Sequence, residues 1–350
     1  MGTAPVPVRL AGFGGAVPEH RATTAELAAV LAQVWPHLGR RAASLADQSA
    51  GIGRHLARPP AHLVRPLSLS AQTARYRRVA AGLAERAARQ ALAGAGAGAA
   101  DVGLLVTASC TGFVLPGVDS LLVPRLGLRA GVTRMPFSLF GCGGGAAGLA
   151  RACDWARGHP GEAALVVAVE LPSVTFRPDD TSVDNLLSAL VFGDGAAAVV
   201  AVANGGPGLQ VGRTASHLVP GSAAALGFRL ADTGLEVVLS RRLPRLLATV
   251  LPAVVAGFLD GARAPELDAV AVHPGGPTVI GAVERCLGLA PEQTAASWET
   301  LRRTGNTSAA AILSVLAALA ASLPAPRGRG LAIGFGPGLG VELLELSWGC

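Results

Sequence analysis

Three residues in this chain have types and surroundings suited to covalent acyl chemistry: Cys142, His273 and Asn306. Cys142 stands in Phe140-Gly141-Cys142-Gly143-Gly144-Gly145, directly ahead of an alanine-rich helical pattern. Free backbone N–H groups and the helix dipole at such a place favour a thiolate, and the glycines let a substrate approach the backbone. The plainer alternative is a small buried cysteine packing a helix onto a sheet. His273 follows an apolar run and precedes the rigid Pro274-Gly275-Gly276-Pro277 turn, which would hold its imidazole at a sheet edge. Asn306, in Gly305-Asn306-Thr307-Ser308, reads on residue type alone as a helix cap. Together they supply a thiol to carry an acyl group and two neutral N–H donors for an enolate oxygen, the set that decarboxylation of a malonyl thioester requires. Neutral donors stabilise the charge that builds on the thioester oxygen without holding the departing carboxylate. An ion pair between Cys142 and His273 would keep alkylation fast well below the ordinary thiol pKa of about 8.5.

The elements that must position these residues follow a regular order. An apolar segment over 6–13 reads as a strand turning at Gly14-Gly15, followed by helices from Thr24 and over 70–92. Then 101–108 reads as a strand, 117–126 as a helix, 146–156 as the helix after Cys142, and 163–170 as a strand. The second half repeats this order, with a strand over 267–272 ending at His273, a helix from Thr278, a helix over 309–323 after Asn306, and a strand over 330–335. The repetition implies an α/β chain of two similar halves, 1–205 carrying Cys142 and 206–350 carrying His273 and Asn306, with the boundary near 204–208. Cys142 and Asn306 then occupy equivalent helix starts, where open α/β folds place ligands.

Bulk properties narrow the function. With 51% hydrophobic and 15% charged residues in 350, disorder is excluded. The longest apolar stretches, 246–259 and 309–323, are short of the ~20 residues of a membrane span and read as core helices. No membrane insertion is expected. The first ten residues carry no basic segment before a long apolar run, so the expected location is cytoplasmic. Five cysteines without a CxxC pair suggest neither a disulfide framework nor a metal site. Cys153 and Cys286 read as core residues of helices, and Cys350 is terminal. The net charge of +6 comes wholly from arginine, since the chain has no lysine, and suits a polyanion such as the phosphates of CoA. One tyrosine and no basic cluster argue against nucleic acid as a partner. No flavin or nicotinamide motif occurs in the expected context, so no cofactor is expected beyond CoA thioesters as substrates.

Five motifs, in order, carry a resemblance: Gly-Cys-Gly-Gly-Gly at 141–145, Phe-Gly-Asp-Gly-Ala-Ala at 192–197, Val-His-Pro-Gly-Gly-Pro at 272–277, Gly-Asn-Thr-Ser at 305–308 and Gly-Phe-Gly-Pro-Gly at 334–338. From about residue 11 to 342 the chain resembles the chalcone-synthase-like type III polyketide synthases. The resemblance implies a thiolase fold of duplicated αβαβα layers and a homodimer that condenses malonyl-CoA units onto an acyl-CoA starter. It makes Cys142 the acyl carrier, completed by His273 and Asn306, and Phe192 a gatekeeper between the CoA tunnel and the cavity. A second gatekeeper phenylalanine corresponds to Val237, which should widen or reshape the cavity. Cys110 resembles bacterial members that make tetrahydroxynaphthalene or related pyrones. Pro172, Thr175 and Ser308 would also line the cavity, and Leu115 would reach into the partner's cavity. Gly275 and Thr278 would flank the pantetheine arm, Arg54 would meet CoA phosphates, and the N–H of Gly336 would join that of Cys142 in an oxyanion hole. Two alternatives remain open: an enzyme like ketoacyl-acyl-carrier-protein synthase III, which usually carries His-Gln-Ala-Asn at the histidine, and a non-catalytic thiolase-fold partner subunit.

Overall fold

The computed structural model describes residues 6–48, 51–231, 234–240 and 242–349. Residues 1–5 and Cys350, on which expectations were stated above, lie outside the described residues. In chain order the strands are β1 (Val8–Ala16), β2 (His20–Thr23), β3 (Gly53–Leu56), β4 (Val102–Ala108), β5 (Thr133–Phe137), β6 (Ala163–Glu170), β7 (Gly195–Val202), β8 (Gln210–Leu218), β9 (Leu226–Ala231), β10 (Gly234–Leu239), β11 (Ala269–Val272), β12 (Gly328–Gly336) and β13 (Gly340–Trp348). The α-helices are α1 (Thr24–Val34), α2 (Gly39–Gln48), α3 (Leu69–Ala95), α4 (Val118–Leu126), α5 (Gly144–Gly158), α6 (Pro172–Thr175), α7 (Val183–Val191), α8 (Leu243–Phe258), α9 (Pro277–Leu287), α10 (Ala295–Thr304) and α11 (Ala309–Ala321).

Nine strands join in the order β11-β12-β13-β8-β1-β7-β6-β4-β5. Strand directions repeat between halves: β1 is antiparallel to β7, β7 to β6, and β6 parallel to β4. In the second half β8 is antiparallel to β13, β13 to β12, and β12 parallel to β11. A short pairing of Val8 with Val211 and Arg9 with Gln210 joins the halves. The first half adds β5 at its edge.

The layers follow from side-chain pattern. β6 is apolar up to its last residue, as expected of a strand covered on both faces. Its Ala164, Val166 and Ala168 face a central core that includes α5 and α11. Its Ala163, Leu165, Val167 and Val169 face α3 and α4. On the second half, Leu331, Ile333 and Phe335 of β12 face α8 and α9. The small side chains of α5 and α11 let both helices lie between two sheet layers, giving αβαβα.

Local signals set several ends. Thr23 and Glu26 cap α1 reciprocally, and the Ser68 hydroxyl accepts from the Ala71 N–H at the start of α3. One expectation is corrected. β1 does not turn at Gly14-Gly15 but runs on to Ala16, with Gly14 and Gly15 paired to Ala198 and Ala197 of β7, and a Cβ at Gly14 would overlap the Ala87 carbonyl. That glycine serves a close approach of strand to α3 instead of a turn.

Candidate active site

Cys142 occupies a single 3₁₀ turn, Gly141–Gly143, that leads into α5. His273 directly follows β11, its N–H donating to the Ile333 carbonyl at 2.8 Å. Asn306 lies between α10 and α11. The fold brings all three to the wall of one cavity of about 330 Å³. Gly275, Thr278 and Phe192 line the same cavity. Helix starts α5 and α11 meet closely, since a Cβ at Gly145 would overlap the Ala309 carbonyl.

Ser308 links the parts. Its backbone takes φ 50° and ψ −125°, a conformation costing an L residue roughly 1–3 kcal/mol. Hydrogen bonds hold it there. Its N–H donates to Asn306 Oδ1 at 2.8 Å, and its hydroxyl donates to Glu170 Oε1 at 3.2 Å. The same hydroxyl accepts from Cys142 Sγ at 3.4 Å and lies 3.5 Å from Cys110 Sγ. Asn306 does not cap α11, whose N-cap is Ser308; its oxygen accepts from the Ser308 N–H two residues on, which leaves its NH₂ for other work. The Asn306 backbone is pinned as well, its N–H donating to Val191 O at 3.0 Å and its carbonyl accepting from Gly193 N at 3.0 Å.

Electrostatics bears on the ion pair. A helix dipole is worth about 0.3–1 kcal/mol, less than one pKa unit at ~1.4 kcal/mol per unit. Burial outweighs it, pushing the Cys142 thiol up to about 11, with the Ser308 hydrogen bond opposing and Glu170 adding to the rise. Burial likewise pulls His273 down to about 4, and its Nδ1 is buried with no partner among the described residues. Both shifts favour a thiol and a neutral imidazole over the ion pair considered above.

The remaining expected residues divide. Pro172, Thr175, Phe192, Val237 and Ser308 line a second, inner space of about 50 Å³. Phe192 lines both spaces and so stands between them. Cys110 sits beside that inner space, its Sγ 3.3 Å from Glu170 Oε1. Gly336 packs on the Cys142 turn, where a Cβ would come within 3.3 Å of Gly143. Leu115 is 97% exposed. Cys153 is buried, whereas Cys286 is only partly so. Arg54 is a correction. It is fully buried, and its guanidinium donates to the Ala189 carbonyl and the Thr24 hydroxyl, so it ties β3 to α7 and α1 and cannot reach a phosphate.

Two contributors were not foreseen. Glu170 receives hydrogen bonds from Thr111 Oγ1 at 2.6 Å, Thr111 N at 3.0 Å and Cys110 N at 3.1 Å, while burial pushes its carboxyl upward. A carboxylate closing an otherwise apolar central strand was its signal. Phe228 lies directly opposite Val237 in the β9–β10 ladder and lines the inner space with Phe176. A ring thus faces Val237 across the ladder on the wall of the inner space.

Residues 65–205 match the N-terminal domain of chalcone and stilbene synthases, and 210–347 match the C-terminal domain. A 1,3,6,8-tetrahydroxynaphthalene synthase of Streptomyces peucetius subsp. caesius is 37% identical over 344 residues, covering 95% of this chain and 91% of that protein. An alpha-pyrone synthesis polyketide synthase-like protein of Mycobacterium tuberculosis is 35% identical over 270 residues, covering 74% and 68%. The crystal structure of the tetrahydroxynaphthalene synthase of Streptomyces coelicolor superposes with TM-score 0.91 at 29% identity, covering 100% of each chain. A polyketide synthase of the brown alga Ectocarpus siliculosus superposes with TM-score 0.90 at 28% identity, covering 99% and 100%. The protein is a thiolase-fold acyltransferase. It belongs to the chalcone and stilbene synthase family and is a type III polyketide synthase.

Two measurements check the site. Iodoacetamide alkylation of Cys142 in the resting enzyme should rise about tenfold per pH unit from 7 to 10, as expected below a raised thiol pKa. A rate already on a plateau at pH 7 would show a thiolate. Replacing Phe228 with Ala should open the inner space and raise kcat/KM for long-chain acyl-CoA starters at least about tenfold, worth ~1.4 kcal/mol. An unchanged starter preference would remove Phe228 from the wall that selects starters.

Proposed function

We propose that this synthase carries the growing chain on Cys142 and uses His273 and Asn306 to decarboxylate malonyl-CoA. The observation that carries the reading is the single cavity on which Cys142, His273 and Asn306 meet, with Phe192 between it and the inner space. In loading, Cys142 Sγ bonds to the acyl carbonyl as the bond to the CoA sulfur breaks, and its proton passes through His273 to the departing CoA thiolate. Malonyl-CoA then loses CO₂, and the electron pair of the broken C–C bond moves into an enolate. Its oxygen accepts from an imidazole N–H and the Asn306 NH₂, donors that act on charge present only as the bond breaks. The enolate carbon attacks the acyl-cysteine, forming the new C–C bond and releasing the Cys142 thiolate. Gly336, on the Cys142 turn, is assigned to the adjoining oxyanion site, and Gly275 and Thr278 to the path of the pantetheine arm. No further cofactor enters these steps.

The small inner space supports a small starter, and three tetrahydroxynaphthalene synthases among the relatives support an aromatic product made from malonyl-CoA alone. The two halves divide in the loop between β7 and β8. Among the described residues no helix is long and apolar enough to cross a membrane, and a cytoplasmic location fits a substrate held as CoA thioester. Phe113, Leu115, Leu139 and Phe140 are exposed on the loop after β4 and the segment before Cys142. A second copy covering them, with Leu115 entering the partner's cavity, accounts for so much apolar surface in two neighbouring loops.

Purified enzyme given malonyl-CoA alone, then with short and long acyl-CoA starters, should yield an aromatic product under the first condition by mass spectrometry. Starter-dependent pyrones only would redirect the product assignment. Replacing Cys142 with Ala should abolish product yet leave CO₂ release, whereas replacing His273 or Asn306 with Ala should slow CO₂ release by roughly 10²–10³-fold. Because His273 takes a proton only near pH 4, CO₂ release by the Cys142→Ala variant should stay flat from pH 8 to 5. Loss through pH 6–7 would contradict a neutral donor. The Leu115→Asp variant should sediment as a monomer with little condensation activity; an unaltered dimer, or a wild-type monomer, would refute the pairing of copies through these loops.

A further inference from the structure

The two walls of the inner space are built differently. One is anchored. Phe176 packs its ring 5.8 Å from that of Trp35, and the next two residues are held from both sides. The Arg177 carbonyl accepts from Asn185 Nδ2 at 2.7 Å, and the Pro178 carbonyl accepts from Trp35 Nε1 at 3.0 Å. The other wall belongs to a hairpin. β9 and β10 form a sheet of their own, apart from the nine-stranded sheet, yet they supply Phe228, Leu235 and Val237 to the inner space.

At its base the hairpin is tied by two hydrogen bonds, from the Gly338 N–H to the Leu226 carbonyl at 2.9 Å and from the Leu239 N–H to Asp184 Oδ2 at 3.1 Å. Farther along, the tie is ionic. Successive strand residues point to opposite faces, so Glu236 lies on the outer face between Leu235 and Val237, which both line the inner space. There Glu236 accepts from Arg177 Nη1 at 3.1 Å and from Nε of Arg229, its partner across the ladder, at 2.8 Å. The Arg177 stem passes Gly234, where a Cβ would lie 3.8 Å from its Cδ, and its second amino group donates to Asp179 at 2.7 Å. The Arg177 side chain is 10% exposed and that of Glu236 24%, so the pair is better shielded than an ordinary surface ion pair. One guanidinium thus joins the anchored segment to the hairpin, one residue beyond Phe176.

We infer that Arg177 and Glu236 latch the β9–β10 hairpin against the Phe176 wall and so set the longest starter acyl group that the inner space admits. Both are positioning residues, acting through Phe176, Phe228, Leu235 and Val237. With the latch closed the space is about 50 Å³ and suits a small acyl group. With the latch released, the half of the hairpin beyond its base is free to move away from Phe176, which makes room for an alkyl chain. The inference rests on the reading of this site as the place of acyl transfer to Cys142.

The test compares the wild type, Arg177→Gln, Glu236→Gln, the double variant and an Arg327→Ala control, with acetyl-CoA or dodecanoyl-CoA as starter and malonyl-CoA as extender. Each latch variant should raise kcat/KM for dodecanoyl-CoA about fivefold through a lower KM, with kcat within twofold and acetyl-CoA unaffected. Since all three remove one interaction, the double variant should match either single variant. Hydrogen exchange of the amides of β9 and β10 should quicken at least about threefold in the same variants, while the peptide carrying Asn185 and the control stay unchanged. Gains that multiply in the double variant would overturn the pairing. An unchanged starter preference, or an equal loss with both starters, would overturn the selective role. If the wild type loaded neither starter, the transfer reading would fail, while hydrogen exchange would still decide whether the latch exists.

Discussion

The catalytic centre depends on the close apposition of two helix starts. Gly145 on α5 leaves room for the Ala309 carbonyl of α11, and no side chain fits between them. That contact brings the Cys142 turn within hydrogen-bonding distance of Ser308, and Ser308 in turn holds Asn306 by its side-chain oxygen. Nucleophile and donor come from opposite halves of a duplicated chain, so the site exists only where the halves meet. The strained Ser308 backbone is sustained by this crowding and by its bonds to Asn306 and Glu170.

Burial decides how the groups rest. A dry pocket disfavours thiolate and imidazolium alike, pushing the Cys142 thiol up and His273 down. For the histidine this is an asset, since a neutral donor stabilises an enolate without retaining the carboxylate that must leave. For the cysteine it means that deprotonation accompanies acyl loading. Glu170, linked through Ser308 to both Cys110 and Cys142, adds a buried acidic group whose own carboxyl burial pushes upward.

Much of this was legible in the sequence because backbone requirements leave marks. The Cys142 and Asn306 motifs open helices at equivalent positions, and the strand over 163–170 was read to the residue because a run covered on both faces has no polar interruption until Glu170. Pair-specific information was hidden. Gly14 carries the same letter whether it turns the chain or admits a helix, and only the position of Ala87 tells which. Arg54 looked like a phosphate ligand because a buried arginine and an exposed one are spelled alike. The ring of Phe228 faces Val237 through a cross-strand pairing that lies outside either local motif. The shift of the Cys142 thiol depends on a desolvation that helix-start chemistry alone underestimates.

The central claim is that Cys142 is the covalent carrier of the acyl chain. The most direct test is to quench the enzyme during turnover of malonyl-CoA and an acyl-CoA starter, digest it, and weigh the peptide that contains Cys142 by mass spectrometry. The account predicts acyl adducts on that peptide, on Cys142 itself, and their disappearance in the Cys142→Ala variant. Product formation with an unmodified Cys142, or adducts only on Cys110, would contradict it.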